Sequence, residues 1–237
     1  MIELFKNKTN VEIYLTCVSE YNNDSELKPL REYVKTNSYG FCDDAHYVMW
    51  RELIKLLPDN FSFLEIGVYK GQILCLVSLL NKRYNKLGQI YGVTPLSNQG
   101  DKYSVYDQLN YSKLITDLFK NFSLEFDINK QIINGLSTDI LVKEKINDIK
   151  YFDVVYIDGG HDYDTVISDL IFVKSILNLN GYIVTDDSSC YKDLNGLNGI
   201  FTGHIEVCDA IRDNLEPDSD FIEIACVGHN RIFKKIK

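Results

Sequence analysis

The chain has no long apolar run, no close pair of cysteines and a shortage of basic charge, and each lack narrows what it can be. No stretch approaches the roughly 18 apolar residues of a membrane span, and the first residues lack a secretory leader's basic segment, apolar centre and cleavage site. The expectation is therefore no membrane partner and a cytoplasmic location. Six cysteines, at 17, 42, 75, 190, 208 and 226, are scattered without the close pairs of a zinc or iron–sulfur site. Cys75 and Cys226 sit inside apolar runs and read as core thiols. Lys and Arg number 25 against 34 Asp and Glu, giving a formal charge of −9. Broad attraction to a nucleic-acid backbone is thereby disfavoured, and a small or neutral partner fits better. No internal repeat or low-complexity segment is visible.

What is present is a chain of 237 residues, 45% hydrophobic and 25% charged, long enough to bury a large core. Two apolar runs of strand length each end in acid. Residues 154–157 lead into Asp158-Gly159-Gly160-His161, and residues 181–185 lead into Asp186-Asp187. Between them, Val166, Ile167, Leu170, Ile171, Val173 and Leu177 recur at helical spacing over 163–179. Strand, crossover helix and parallel strand place both acid clusters at the carboxyl ends of neighbouring strands, where open α/β sheets hold their ligands. An earlier strand, 62–66, runs through Glu65 into Gly67-Val68-Tyr69-Lys70-Gly71 and then a helix. Such a turn lets backbone approach a ligand, although Gly-x-x-x-Gly lacks the full Gly-x-Gly-x-x-Gly dinucleotide fingerprint.

The remaining elements follow from pattern. Residues 89–93 read as a strand entering Thr94-Pro95, 109–122 as a helix, and 125–128 or 131–133 as a short strand. Ser137 or Thr138 could cap a helix over 140–149; alternatively Ser137 or Asp139 lies near the adenine end of a cofactor. Residues 188–203 form a loop, 205–215 a helix, and 221–227 with 230–236 an antiparallel hairpin around Gly228-His229. Residues 1–60 are a mixed arm in which 11–18 could be strand or short helix and 43–57 is the better helix. Tyr39, Phe41, Tyr47 and Trp50 either pack this arm on a sheet or help cover a binding site. The apolar side of helix 43–57 could pair subunits as a homodimer or close the chain's own core.

Asp158, Asp186 and Asp187 are the oxygen donors that hard cations need, and three ionised carboxylates together repel unless a cation joins them. His161, three residues after Asp158, suits the role of general base; otherwise it bonds Asp158 or Asp162 and steadies the loop. His46, His204 and His229 are too dispersed in sequence to argue a three-histidine site.

Phe63-Leu64-Glu65-Ile66-Gly67-Val68-Tyr69-Lys70-Gly71 resembles the first motif of class I S-adenosylmethionine-dependent methyltransferases. Tyr156-Ile157-Asp158-Gly159-Gly160-His161-Asp162-Tyr163 and Val184-Thr185-Asp186-Asp187 are similar to the metal-binding segments of their cation-dependent O-methyltransferases, nearest the macrolide-sugar and aminocoumarin-sugar enzymes and the cephalosporin hydroxylase-like proteins. The resemblance covers roughly residues 61–235. It implies an α/β, Rossmann-like sandwich with a mostly parallel seven-stranded sheet and a C-terminal antiparallel hairpin. It implies S-adenosylmethionine beside Glu65, Gly67, Tyr69, Gly71, Thr94, Ser137 and Asp158. Magnesium or another divalent cation would sit on Asp158, Asp186 and Asp187, with Asp158 and His161 catalytic. The acceptor would be a hydroxyl of a small molecule, a sugar or glycoside. One departure is plain: Thr94-Pro95 stands where members carry a ribose-binding acid, so Asp101 reaches back or the ribose is held differently. Readings from other classes are a non-catalytic binding domain of the same fold, an NAD-dependent oxidoreductase and a metal-dependent hydrolase.

Overall fold

Alternation of side chains along extended backbone sets the layers of this protein, whose computed structural model describes residues 2–237. The strands are β1 (Ser62–Ile66), β2 (Gln89–Thr94), β3 (Ile132–Asn134), β4 (Phe152–Ile157), β5 (Leu177–Thr185), β6 (Phe221–Val227) and β7 (Asn230–Lys235). They form one sheet in the order β3-β2-β1-β4-β5-β7-β6. The first five are parallel, while β7 runs antiparallel to both β5 and β6. This is the sandwich with a C-terminal antiparallel hairpin that the resemblance implies.

The helices are α1 (Asn10–Asn23), α2 (Lys28–Asn37), α3 (Asp44–Leu56), α4 (Gln72–Arg83), α5 (Tyr111–Asn121), α6 (Ile128–Gln131), α7 (Ile140–Ile149), α8 (Tyr163–Ile176) and α9 (Ile205–Asn214). Phe63, Val154, Tyr156 and Val184 face the layer of α3, α4 and α5, meeting Trp50, Leu74 and Ile115. Leu64, Val155, Ile157 and Ile183 face α7, α8 and α9, meeting Ile146, Leu170 and Ile211. Trp50 is fully buried, edge-on to Phe63 at 5.6 Å and to Tyr156 at 5.2 Å. Truncating such a residue costs about 3–5 kcal/mol, so it anchors the arm to the sheet.

The structure decides the readings left open and corrects others. Residues 11–18 belong to α1, started by a capping box in which Thr9 Oγ1 accepts the Glu12 N–H and Glu12 Oε2 accepts the Thr9 N–H. The crossover helix ends at Ile176, because β5 already begins at Leu177 across a register shift in β4. Of the two strand placements, 131–133 is the one found, as β3, while 128–131 are the short helix α6. Neither Ser137 nor Thr138 caps α7: Asp139 holds that place, without a side-chain cap bond. The apolar side of α3 is spent inside the chain, since Tyr47, Val48, Trp50, Leu53 and Ile54 are fully buried. That surface is therefore not free to pair subunits. Cys190 and Cys208, separated by 18 in sequence, are joined as a disulfide with a Cα–Cα distance of 5.9 Å, a pairing their spacing did not announce. No helix among the described residues is long and apolar enough to cross a membrane.

Neighbouring β1 and β4 are connected to opposite halves of the sheet, β1 onward to β2 and β4 onward to β5. Such a switch in winding opens a crevice at the carboxyl ends of the strands.

Candidate active site

Each strand delivers its acid or turn to that crevice. Gly67 follows β1 with φ +99°, and a Cβ there would stand 1.7 Å from the Asp158 carbonyl oxygen. Only glycine lets the turns after β1 and β4 come this close. After β5 the alternation of the strand would send Asp186 and Asp187 to opposite faces. Instead Asp187 adopts φ +49°, a left-handed conformation that aspartate tolerates. Asp186 then reaches His229, Nε2 to Oδ1 3.4 Å, and Asp187 reaches His161 and His204.

Two cavities open on this crevice. The smaller, of about 270 Å³, is lined by Thr94, Ser137, Gly159, Gly160 and Thr165. The larger, of about 860 Å³, is lined by Glu65, His161, Asp186, Asp187, His204 and His229. Gly67, Tyr69, Ser104, Tyr106 and Asp158 border both. Of the expected cofactor residues, Gly67, Tyr69, Thr94, Ser137 and Asp158 thus reach the smaller space, while Glu65 faces the larger one. Gly71 reaches neither; it is the N-cap of α4. Tyr47 and Trp50 are core, whereas Tyr39 and Phe41 do line the larger cavity, Phe41 stacking on Tyr69 at 5.7 Å.

The electrostatics reflect crowded acid. Burial, then the charges of Asp186 and Asp187, push Asp158 well above the usual carboxylate range. Glu65 is 3% exposed, and its Oε2 has no hydrogen-bond partner. Burial raises it to about 8, one backbone hydrogen bond from Leu74 opposing this and Asp186 adding to it, so a single amide leaves the acid only half satisfied. Asn230 Nδ2 donates to Asp186 Oδ1 at 2.6 Å.

His161 is held from a loop that the sequence did not connect to it. Asp101 Oδ2 accepts both the His161 backbone N–H, at 2.8 Å, and ring Nδ1–H, at 2.7 Å. Its Oδ1 accepts the N–H groups of Tyr103 and Ser104, each at 2.8 Å. Against the opposing effect of burial, these bonds bring Asp101 down to about 2. Both its oxygens are therefore spent, and Asp101 does not reach back as a free ribose-binding acid. Thr94 is also engaged, its Oγ1 accepting the Leu96 N–H at 3.2 Å. Although burial opposes it, Asp187 and Asp101 raise His161 to about 9. Asp187, rather than Asp158 or Asp162, is its carboxylate neighbour at the rim.

The dispersed histidines in fact converge. His204, at the start of α9, has Nε2 3.4 Å from Asp187 Oδ2, and His229 packs on His46 with ring centroids 4.4 Å apart. His46 itself is structural. Its Nδ1 accepts the Asp43 N–H, so Nε2–H donates to the Val227 carbonyl at 3.0 Å, and burial lowers its pKa to about 4. Only the scarcity of histidine, four in the whole chain, hinted at this gathering.

A crevice with crowded acids, an oriented imidazole and two adjoining cavities can hold a cation, move a proton and accommodate two small molecules side by side. Comparison with known proteins fits this shape. A family model described as a methyltransferase domain matches residues 64–188. An uncharacterized protein of Acanthamoeba polyphaga mimivirus is 27% identical over 166 residues, 68% of this chain and 67% of that one. A Staphylococcus aureus structure, provisionally described as a caffeoyl-CoA O-methyltransferase, matches with a TM-score of 0.63 at 15% identity, covering 94% of this chain and 98% of that chain. An O-methyltransferase from Bacillus cereus, solved in complex with SAH, matches with a TM-score of 0.58 at 11% identity, covering 90% and 91%. The structural likenesses establish a shared fold.

Proposed function

We propose, on the premise that the chain belongs to this methyltransferase-domain family, that it transfers a methyl group from S-adenosylmethionine to a hydroxyl of a small molecule with a divalent cation. The observation that carries this reading is the common border of the two cavities at Gly67, Tyr69 and Asp158, with the acid rim on the larger side. S-adenosylmethionine would occupy the smaller cavity beside Thr94 and Ser137, its methionine end turned toward Glu65, and the acceptor the larger one. The SAH-bound relative supports the choice of cofactor. The unpartnered Glu65 Oε2 fits a cationic ligand group, and Gly67 lets the turns after β1 and β4 close up to form the border the two cavities share. Gly71 would act by starting α4 rather than by touching the cofactor.

Asp158, Asp186 and Asp187 fit a divalent cation, magnesium in the first instance, because buried Asp158 is crowded by the charges of Asp186 and Asp187. Such an ion supplies electrostatic polarisation of an acceptor hydroxyl. Asp101 fixes the His161 ring, keeping the proton on Nδ1 so that Nε2 is presented to the rim. With a cation drawing Asp187 away, Nε2 would give up the proton it shares with that acid, and His161 would then receive the acceptor's proton there, while Asn230 keeps Asp186 turned inward. Tyr39, Phe41, Tyr69 and Tyr103 offer aromatic faces around these acids, which suits a sugar or glycoside with apolar ring faces and many hydroxyls. The arm of residues 1–60 would then cover the acceptor site through Tyr39 and Phe41. A cytoplasmic setting, where the donor is made, completes the proposal.

The test is calorimetric titration with S-adenosylmethionine, with NAD as control, followed by a mass-spectrometric screen of sugars and glycosides for one added methyl group in magnesium. Binding with transfer, lost in Asp158→Asn, is expected. Binding without transfer to any hydroxyl acceptor would instead favour a non-catalytic domain, and unchanged turnover in Asp158→Asn would sink the metal assignment.

A further inference from the structure

His204 joins His161 on one oxygen of Asp187, a pairing that the proposed reaction does not need. His161 Nε2 and His204 Nε2 lie 3.3 and 3.4 Å from the same oxygen, Asp187 Oδ2, with their rings 4.7 Å apart. The three donor atoms lie within 4.8 Å of one another. A charge-assisted N–H···O bond is shorter, about 2.7–2.9 Å. Ligands held about 2.0–2.1 Å from one tetrahedral ion stand about 3.3–3.4 Å apart, which is the separation of each nitrogen from the Asp187 oxygen here.

The proton bookkeeping agrees. Asp101 accepts from His161 Nδ1–H at 2.7 Å, which leaves Nε2 as the ring atom that faces the Asp187 oxygen. In the metal-free chain a proton joins Nε2 to Asp187, and a cation seated between the three donor atoms would displace that proton and take the nitrogen as a ligand. Asp101 then takes the place of the outer carboxylate that orients a metal-bound histidine and strengthens it as a donor. Imidazole nitrogens suit zinc, cobalt or copper, whereas magnesium prefers oxygen ligands and water. The neighbouring set of Asp186, Asp187 and His229 is a weaker candidate, because Asn230 already donates to the Asp186 oxygen that His229 faces.

We infer that His161 Nε2, His204 Nε2 and Asp187 Oδ2 form a site for a zinc-like transition-metal ion, supported by Asp101 and separate in character from the oxygen donors Asp158 and Asp186. The fourth position opens to the larger cavity, which these three residues line. Occupation takes up the His161 lone pair and one rim acid, so this ion opposes the proposed proton transfer rather than assisting it. The inference stands independently of the acceptor and of methyl transfer itself.

The experiment uses the full chain, stripped with a chelator. Zinc is titrated by calorimetry, and cobalt by its visible absorption, which is intense only in a tetrahedral-type field. One equivalent of cobalt giving that spectrum, displaced by zinc but not by an equal concentration of magnesium, is expected. His204→Ala should abolish the spectrum, and Asp101→Asn, which preserves shape, should weaken zinc by about 10- to 100-fold. Circular dichroism of each variant checks folding. Absence of saturable zinc binding, or zinc affinity unchanged in both folded variants, overturns the site. A proton alone would then bridge His161 and Asp187.

Discussion

Replacing Glu65 with glutamine isolates the cost of keeping a carboxyl in the wall of the cavity. Glu65 is buried with an unpartnered oxygen, and burial, against one backbone hydrogen bond from Leu74, raises it from 4.5 to about 8. Between those values the folded chain keeps the proton while the unfolded chain releases it. The folded state therefore loses stability as pH rises from about 4.5 to about 8. Each unit is worth about 1.36 kcal/mol, so a rise from about pH 5 to about pH 8 costs up to roughly 4 kcal/mol. Glutamine keeps the shape and has no proton to release. Urea unfolding of both proteins across that range, in chelator, should show the variant gaining about 2–4 kcal/mol on the parent as pH rises. Other titrating groups are common to both proteins and cancel to first order. Parallel stability curves would refute the reasoning, since they would mean that Glu65 ionises normally in the folded chain.

Gly67→Ala drives a Cβ into the Asp158 carbonyl at 1.7 Å and should cost about 1–3 kcal/mol in backbone strain while weakening S-adenosylmethionine binding; an unchanged melting temperature and titration would contradict this. His46 has a folded pKa of about 4 against 6.5, so its contribution is complete above 6.5 and fades as pH falls toward 4. His46→Gln should therefore flatten the acid side of a stability profile by up to about 3 kcal/mol, and an equally steep profile counts against the buried neutral ring. Reducing the Cys190–Cys208 bond, which closes a sequence separation of 18, should lower stability by about 2–4 kcal/mol. Melting with and without reductant, with free thiols counted by mass spectrometry, reads it directly; identical melts of the two redox forms would be the contrary result.

What could be read from the chain and what could not divide along a physical line. The parallel sheet was legible because Val154 to Ile157 and Ile183 to Thr185 are short apolar runs ending in acid, and local pattern determines strands buried on both sides. Gly228 and His229 between two apolar runs likewise marked the β6–β7 hairpin. The start of β5 was missed because Asn178, Asn180 and Gly181 look like a turn, although β4 pairs at Leu177 beyond an irregularity. The partners of the rim were also out of reach. Asp101 comes from the loop after β2, His204 from the start of α9 and His229 from the hairpin tip. No periodicity reports where such loops cross, since that depends on packing of distant elements. Asp101 was considered for the ribose, whereas two N–H donors of His161 claim it.

The position of β7 has a consequence for how this protein comes off the ribosome. It lies between β5 and β6 and pairs with both, yet it is the last strand made. During synthesis β6 emerges before it has any neighbour to join, and β5 waits with an open edge. His229 and Asn230 arrive only with that final insertion, which also docks β6 and so brings the Val227 carbonyl to His46. A nascent chain can thus assemble its cofactor-side turns early but completes its acid rim in a single late event. Ribosome-bound intermediates should therefore acquire the smaller cavity well before they acquire the clamp on Asp186.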